Sequence, residues 1–186
     1  MKARIMKAFL EEIDDKGMKF TMDDLARRLG ISKRTLYQNF SSKAEILDAI
    51  IDSTLVEFDE KTERIVSDPN LSLIEKIKGA ITVVPKYHEF YDWKILEQMK
   101  KTYPEQWERV NAALNQWDAL RELIEKGIRE GLIVDQNVPF LIKVIVDATN
   151  STLDRQFFLE NSITVTEALD SIVDILLFGL VKKDMK

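Results

Sequence analysis

Apolar side chains recur every three or four residues through almost the whole chain, and no stretch alternates apolar and polar residues as a half-buried strand would. A repeat near 3.6 buries one face of a helix, whereas a strand needs a repeat of two, so the pattern confines the chain to an all-α fold. In ARIMKAFLEEI, the residues Ile5, Met6, Phe9, Leu10 and Ile13 mark such a face and Gly17 is a natural stop, which predicts a helix over residues 2–16. Thr21 with Asp24 three residues on resembles a capping box, and Gly30 ends that second helix after about two turns. Ser32 caps a short third helix, KRTLYQNF, and a long pattern from Ala44 to Val66 stops at SDPN. Further helices are expected over Leu73 to Val84, Glu89 to Lys101, Glu105 to Arg129, Phe140 to Leu159 and Val165 to Val181.

The final pattern contains ILLFGLV, apolar on every side of a helix. Such a helix needs burial all round, which points to a dimer interface formed by the last two helices; the alternative is a central core helix.

Hydrophobic residues make up 45% of the 186 and charged residues 32%, a balance that argues against disorder. No apolar run approaches the roughly 20 residues of a membrane span, and the Met1 start lacks an apolar signal core. The expectation is therefore a soluble, cytoplasmic protein with no membrane partner. With no cysteine and His88 as the one histidine, disulfides, thiol nucleophiles and zinc sites built on Cys or His are excluded, and no cofactor or metal is expected. No nucleophile cluster or phosphate-cradling glycine-rich loop suggests an enzyme.

The net charge of −5 hides an asymmetry. Residues 1–47 hold ten Lys and Arg against seven Asp and Glu; the remainder holds seventeen against twenty-five. From Leu25 to Ala44 there are five cations (Arg27, Arg28, Lys33, Arg34, Lys43) and no acid. A basic patch on an acidic body suits a protein that meets phosphate through one face.

Helix, glycine-centred turn, short helix is the arrangement of a DNA-reading helix-turn-helix. Ala26 is small where the helices cross, and Leu25, Leu29, Ile31 and Leu36 are placed to bury the pair against the first helix. At 100° per residue Leu36 and Phe40 share the inward side of the third helix, so Arg34 and Gln38 point away from it. Arg34 can make a bidentate contact to guanine, Gln38 to adenine, and Thr35 can touch a thymine methyl. Thr21, Ser32, Lys33, Tyr37 and Lys43 are placed for backbone phosphates, which set register rather than sequence preference.

TMDDLARRLGISKRTLYQNFSSKAEIL, Thr21 to Leu47, resembles the N-terminal signature of the TetR family of bacterial transcription regulators, including the Gly-Ile-Ser turn, Thr-Leu-Tyr, Phe40 and the Ser-Lys pair. The resemblance covers roughly residues 1–47; beyond it only the helical layout, GIREGLI and the two apolar final helices are similar. It implies an N-terminal three-helix DNA-binding domain, 1–47, and a helical effector-binding and dimerisation domain, 48–186. It further implies a homodimer that reads a palindromic operator in double-stranded DNA, usually as a repressor, and a small-molecule effector bound in the C-terminal domain. Many members have a small residue where Arg34 stands, so Arg34 either adds a base contact or bends to a phosphate. An activator, an effector-independent regulator, or a small-molecule-binding helical protein with a non-functional head are the alternatives.

Candidate effector-pocket residues are the polar and aromatic side chains that interrupt apolar faces: Tyr87, Phe90, Tyr91, Trp93, Trp107, Trp117, Asn150 and Phe157. Aromatics at helical spacing equally suit a core. On the penultimate helix Asp147, Asn150 and Asp154 fall on one stripe, which fits a pocket wall, an exposed face or cross-dimer hydrogen bonds.

Overall fold

The computed structural model describes residues 1–85, 87, 88 and 92–180, the side chains of 178–180 excepted. Among them there is no β-strand, and the α-helices are α1 (Lys2–Lys16), α2 (Met22–Leu29), α3 (Lys33–Tyr37), α4 (Lys43–Ser67), α5 (Leu73–Ile81), α6 (Trp93–Thr102), α7 (Pro104–Asn115), α8 (Asp118–Arg129), α9 (Val138–Asn150), α10 (Arg155–Asn161) and α11 (Val165–Leu180). They fall into two compact units, Met1–Val56 with Lys86–Ala112, and Glu57–Pro85 with Ala113–Lys186. Residues 1–47 are thus packed as one body with the start of α4, α6 and most of α7.

In the first unit α1 buries Ile5, Met6, Phe9 and Ile13 of the face read from its spacing, together with Ala8, while Leu10 is only half-buried. Thr21 and Asp24 form the reciprocal capping box of α2, and Gly30 closes it in the left-handed conformation (φ 65°, ψ 33°), which costs glycine nothing. Arg4 Nη2 donates to the Leu29 carbonyl at 2.7 Å, satisfying one of the acceptors a helix end leaves open. Between α1 and α2 a single 3-10 turn, Gly17–Lys19, carries Gly17 at φ 63° and ψ −155°, a region almost confined to glycine. The neighbouring Met18 N–H donates to Gln98 Oε1 of α6 at 2.8 Å, so α6 is tied to this turn. On α7, Arg109 bridges Asp48 (2.9 Å) and Asp52 of α4, while buried Gln106 donates to the Asp48 carboxylate.

Glu12 is 2% exposed, with Arg28 Nε at 2.7 Å and Lys16 Nζ at 2.9 Å. Burial pushes its carboxyl up, but the hydrogen bonds and charges of Lys16 and Arg28 outweigh burial and hold it below 4.5. A carboxyl depressed by folding adds stability above its unfolded pKa, and that stability is lost as pH falls through the folded value. The cap carboxylates Asp24, Glu75 and Glu167, lowered by hydrogen bonds from Thr21, Ser72 and Thr164, act in the same direction. The thermal midpoint is therefore expected to fall once the pH drops below about 4.5. A Glu12→Gln variant starts less stable at neutral pH and loses less on acidification; parallel acid limbs in circular-dichroism melts would remove Glu12 from this explanation.

The second unit has its own core: Ile77, Ala80 and Ile81 of α5, Leu120, Leu123 and Ile124 of α8, Leu141, Ile142, Ile145 and Val146 of α9, Val173 and Leu177 of α11, and Ile133. Lys78 of α5 pairs with Asp174 of α11 at 3.0 Å.

Five helices differ from the sequence expectation, the third, KRTLYQNF, being helical only over Lys33–Tyr37. The stretch 105–129 is two helices, because Trp117 leaves helical geometry (φ −130°, ψ 46°), packs against the second core and donates its indole N–H to the Leu114 carbonyl. The stretch 140–159 is also broken. Thr149, Ser151 and Thr152 turn their hydroxyls back onto preceding carbonyls, a 3-10 turn Ser151–Leu153 follows, and Asp154 caps α10 by accepting from the Phe157 N–H. The stripe of Asp147, Asn150 and Asp154 therefore does not exist as one helix face, and Asp147 pairs with Lys143. Helix α5 stops at Ile81, where the Thr82 hydroxyl donates to the Lys78 carbonyl ahead of Pro85. Helix α6 starts at Trp93 under an Asp92 cap; residues 89–91 lie outside the described residues.

Candidate nucleic-acid interface

Helix α3 is oriented by two anchors. Leu36 is 0% exposed and Phe40, just beyond the helix, 2%. With these inward, Lys33, Arg34, Tyr37 and Gln38 are exposed and Thr35 is half-buried. Ser32 starts the helix by accepting from the Thr35 N–H at 3.1 Å, and its Oγ lies 2.9 Å from Thr35 Oγ1. Arg34, Tyr37 and Gln38 have no side-chain partner among the described residues, so their donors and acceptors are open to a ligand on this face.

The remaining candidate phosphate contacts are less free. Thr21 is exposed, but its N–H and hydroxyl both donate to Asp24 Oδ2, at 2.9 and 2.7 Å. Lys33 is ion-paired with Asp23. Lys43 is directed into the head: its ammonium donates to the Met18 carbonyl at 2.7 Å and the Phe20 carbonyl at 2.5 Å, and sits 3.8 Å from the Phe20 ring centroid. Burial lowers its pKa, partly offset by the charges of Asp24 and Glu12.

The pocket candidates are divided. Tyr87, Trp93 and Trp107 belong to the first unit and Trp117, Asn150 and Phe157 to the second, while Phe90 and Tyr91 lie outside the described residues. Trp93 and Phe157 are 43% and 50% exposed, Phe157 meeting Phe158 edge-on at 5.5 Å. An open groove of about 340 Å³ in the second unit is lined instead by Lys61, Arg64, Ile65, Gly79, Thr82 and Val83.

Sequence reading missed three participants: Asp23 beside Lys33, Gln98 at the α1–α2 turn, and Arg109 on Asp48 and Asp52. Each partner is distant in the chain or on a different helix, and no local spacing signals it.

An anchored second helix of a helix-turn-helix that exposes a basic and polar side is the arrangement with which DNA-binding regulators of transcription meet the major groove. Residues 5–50 match the model of the tetR family of bacterial regulatory proteins. Over 181 residues the chain is 29% identical to YvaF of Bacillus subtilis (strain 168), an uncharacterized HTH-type transcriptional regulator, covering 97% of this chain and 95% of that one. Among solved structures, the TetR family regulator PfmR from Thermus thermophilus matches with a TM-score of 0.76 at 22% identity, over 96% of this chain and 100% of that one. The ketosteroid transcriptional regulator KstR2 of Mycobacterium tuberculosis matches with 0.73 at 19% identity, over 98% and 95%. The match to the tetR-family model is confined to residues 5–50, while the similarity to an HTH-type transcriptional regulator and the likeness in fold to TetR family regulators run over nearly the whole chain.

Proposed function

We propose that the protein is a homodimeric repressor that binds a palindromic operator through residues 1–47 and is released by a small-molecule effector bound within residues 48–186. The observation that carries this reading is the exposed set of Arg34, Tyr37 and Gln38, without side-chain partners among the described residues, on and just after a helix whose orientation Leu36 and Phe40 fix. Arg34, Thr35 and Gln38 read base edges, and Thr21, Ser32, Lys33 and Tyr37 grip phosphates. Lys43 joins them only by giving up the Met18 and Phe20 carbonyls. Its present contacts suit a role in holding the α1–α2 turn on the start of α4.

The effector acts through α4, which begins at Lys43 in the head and ends at Ser67. To release DNA a hundredfold it must favour the DNA-incompetent state by about 2.7 kcal/mol, within the usual range of allosteric coupling. The fold-level likeness to a ketosteroid regulator supports an apolar effector.

Selection of bound sites from a random duplex library at near-physiological salt tests the reading. The expected result is a palindrome whose half-sites are centred about one helical turn or slightly more apart. No enriched sequence, with Tyr37→Ala and the parent behaving alike, would overturn it. On the selected site Arg34→Ala is expected to cost about 1–3 kcal/mol and relax one base position; an unchanged preference assigns Arg34 to a phosphate.

A further inference from the structure

The cations of the reading surface are not all equally available. Arg34 is unpartnered among the described residues, whereas the Lys33 ammonium at the start of α3 is held by the carboxylate of Asp23 in the first turn of α2. Both side chains remain in solvent, Lys33 65% and Asp23 45% exposed, so the pair lies on the surface and not in the core. Asp24, the other acid of that turn, is engaged by the Thr21 cap and Arg27. Asp23 makes no cap hydrogen bond among the described residues; apart from its place in the first turn of α2, its side-chain partner there is a cation proposed to meet DNA.

Resting on the DNA-binding reading, we infer that Asp23 is a built-in counter-ion that limits sequence-independent binding by presenting Lys33 to phosphate as half of a nearly neutral pair. A free surface lysine displaces condensed counter-ions when it meets a phosphate, and this release dominates binding to arbitrary DNA. A lysine accompanied by its own carboxylate neutralises little of the phosphate charge, and the carboxylate is itself repelled by the backbone. Lys33 then positions the head by hydrogen bonding while contributing little to the electrostatic term. Base readout by Arg34 and Gln38 is untouched, so the device lowers affinity on every duplex alike.

The test uses the full-length chain, the isosteric Asp23→Asn variant and the double variant Asp23→Asn/Lys33→Gln. Binding to a fluorescein-labelled duplex of arbitrary sequence is followed by anisotropy over a salt series, with melts confirming that all three are folded. Asp23→Asn is expected to bind about three- to tenfold tighter at low salt and to steepen the log–log salt slope by about 0.9, one additional phosphate neutralised. The double variant is expected to lose both gains, and sites selected by Asp23→Asn to keep the parent's base preference. An Asp23→Asn variant with the parent's affinity and slope overturns the inference while leaving DNA binding intact. A gain that survives in the double variant also overturns it, because Asp23 would then not act through Lys33. If neither parent nor variant binds any duplex with a salt-dependent affinity, the DNA-binding reading falls and this inference falls with it.

Discussion

Replacing Ile175 with Glu is expected to yield a folded monomer whose affinity for a palindromic operator is lower by about two to four powers of ten. The buried side of α11 is Leu169, Val173 and Leu177, whereas Ile175 on the same helix is 73% exposed. Leu159 (74%) and Phe140 (64%) of the same unit are exposed as well, so this unit carries large apolar side chains that its own core does not cover. A second copy is the occupant the proposed function requires. In a two-fold interface each substitution appears twice, and two carboxylates placed in apolar surroundings without cations oppose association. The affinity loss follows from linkage: once one head is bound, a dimer delivers the other at a high effective concentration, and a monomer does not. Light scattering reads the mass; anisotropy compares the palindrome with a single half-site. The parent should prefer the palindrome strongly and Ile175→Glu should not. A variant that remains dimeric places the interface elsewhere, and a monomer that keeps the parent's palindrome affinity removes dimerisation from the mechanism.

The head was legible in the sequence because its signals are local. The Thr21–Asp24 cap, the left-handed Gly30 and the Ser32 cap each act within a few residues, so residue type at fixed spacing determines the geometry. The inward pair Leu36 and Phe40 followed from helical periodicity in the same way. The helical body was less legible where continuous periodicity concealed breaks. In Thr149-Asn150-Ser151-Thr152 the hydroxyls bond backward to carbonyls, a competition with helix hydrogen bonding that apolar spacing does not register. Trp117 is placed by packing against the second core, which is tertiary information. The same limit explains Lys43. Its position just after α3 suggests a phosphate contact, but the carbonyls that hold its ammonium lie more than twenty residues earlier in the chain.

Truncation of Phe40 to Ala is expected to destabilise the first unit by about 3–5 kcal/mol, the range for removing a buried phenyl ring from a packed interior. Phe40 is 2% exposed and is held where the α3 turn ends, its N–H donating to the Leu36 carbonyl at 3.0 Å. Domain stabilities are about 5–15 kcal/mol, so such a loss brings a marginal head close to unfolding. DNA binding should fail for a reason distinct from loss of contacts: Phe40 touches no DNA in the proposed mode, but without it Arg34 and Gln38 are no longer presented from one rigid face. Each unit has its own buried side chains, and the tryptophans report on them separately, Trp93 and Trp107 in the first and Trp117 in the second. In urea titrations of a Trp93→Phe/Trp107→Phe background, Trp117 fluorescence should follow the second core, while a Trp117→Phe background follows the first. Phe40→Ala is expected to move the first transition to much lower urea and the second far less. Equal shifts in both backgrounds would mean that the two cores unfold as one cooperative unit. No shift in either would show that the site collapses around the smaller side chain, and the orientation of α3 would then depend on Leu36 alone.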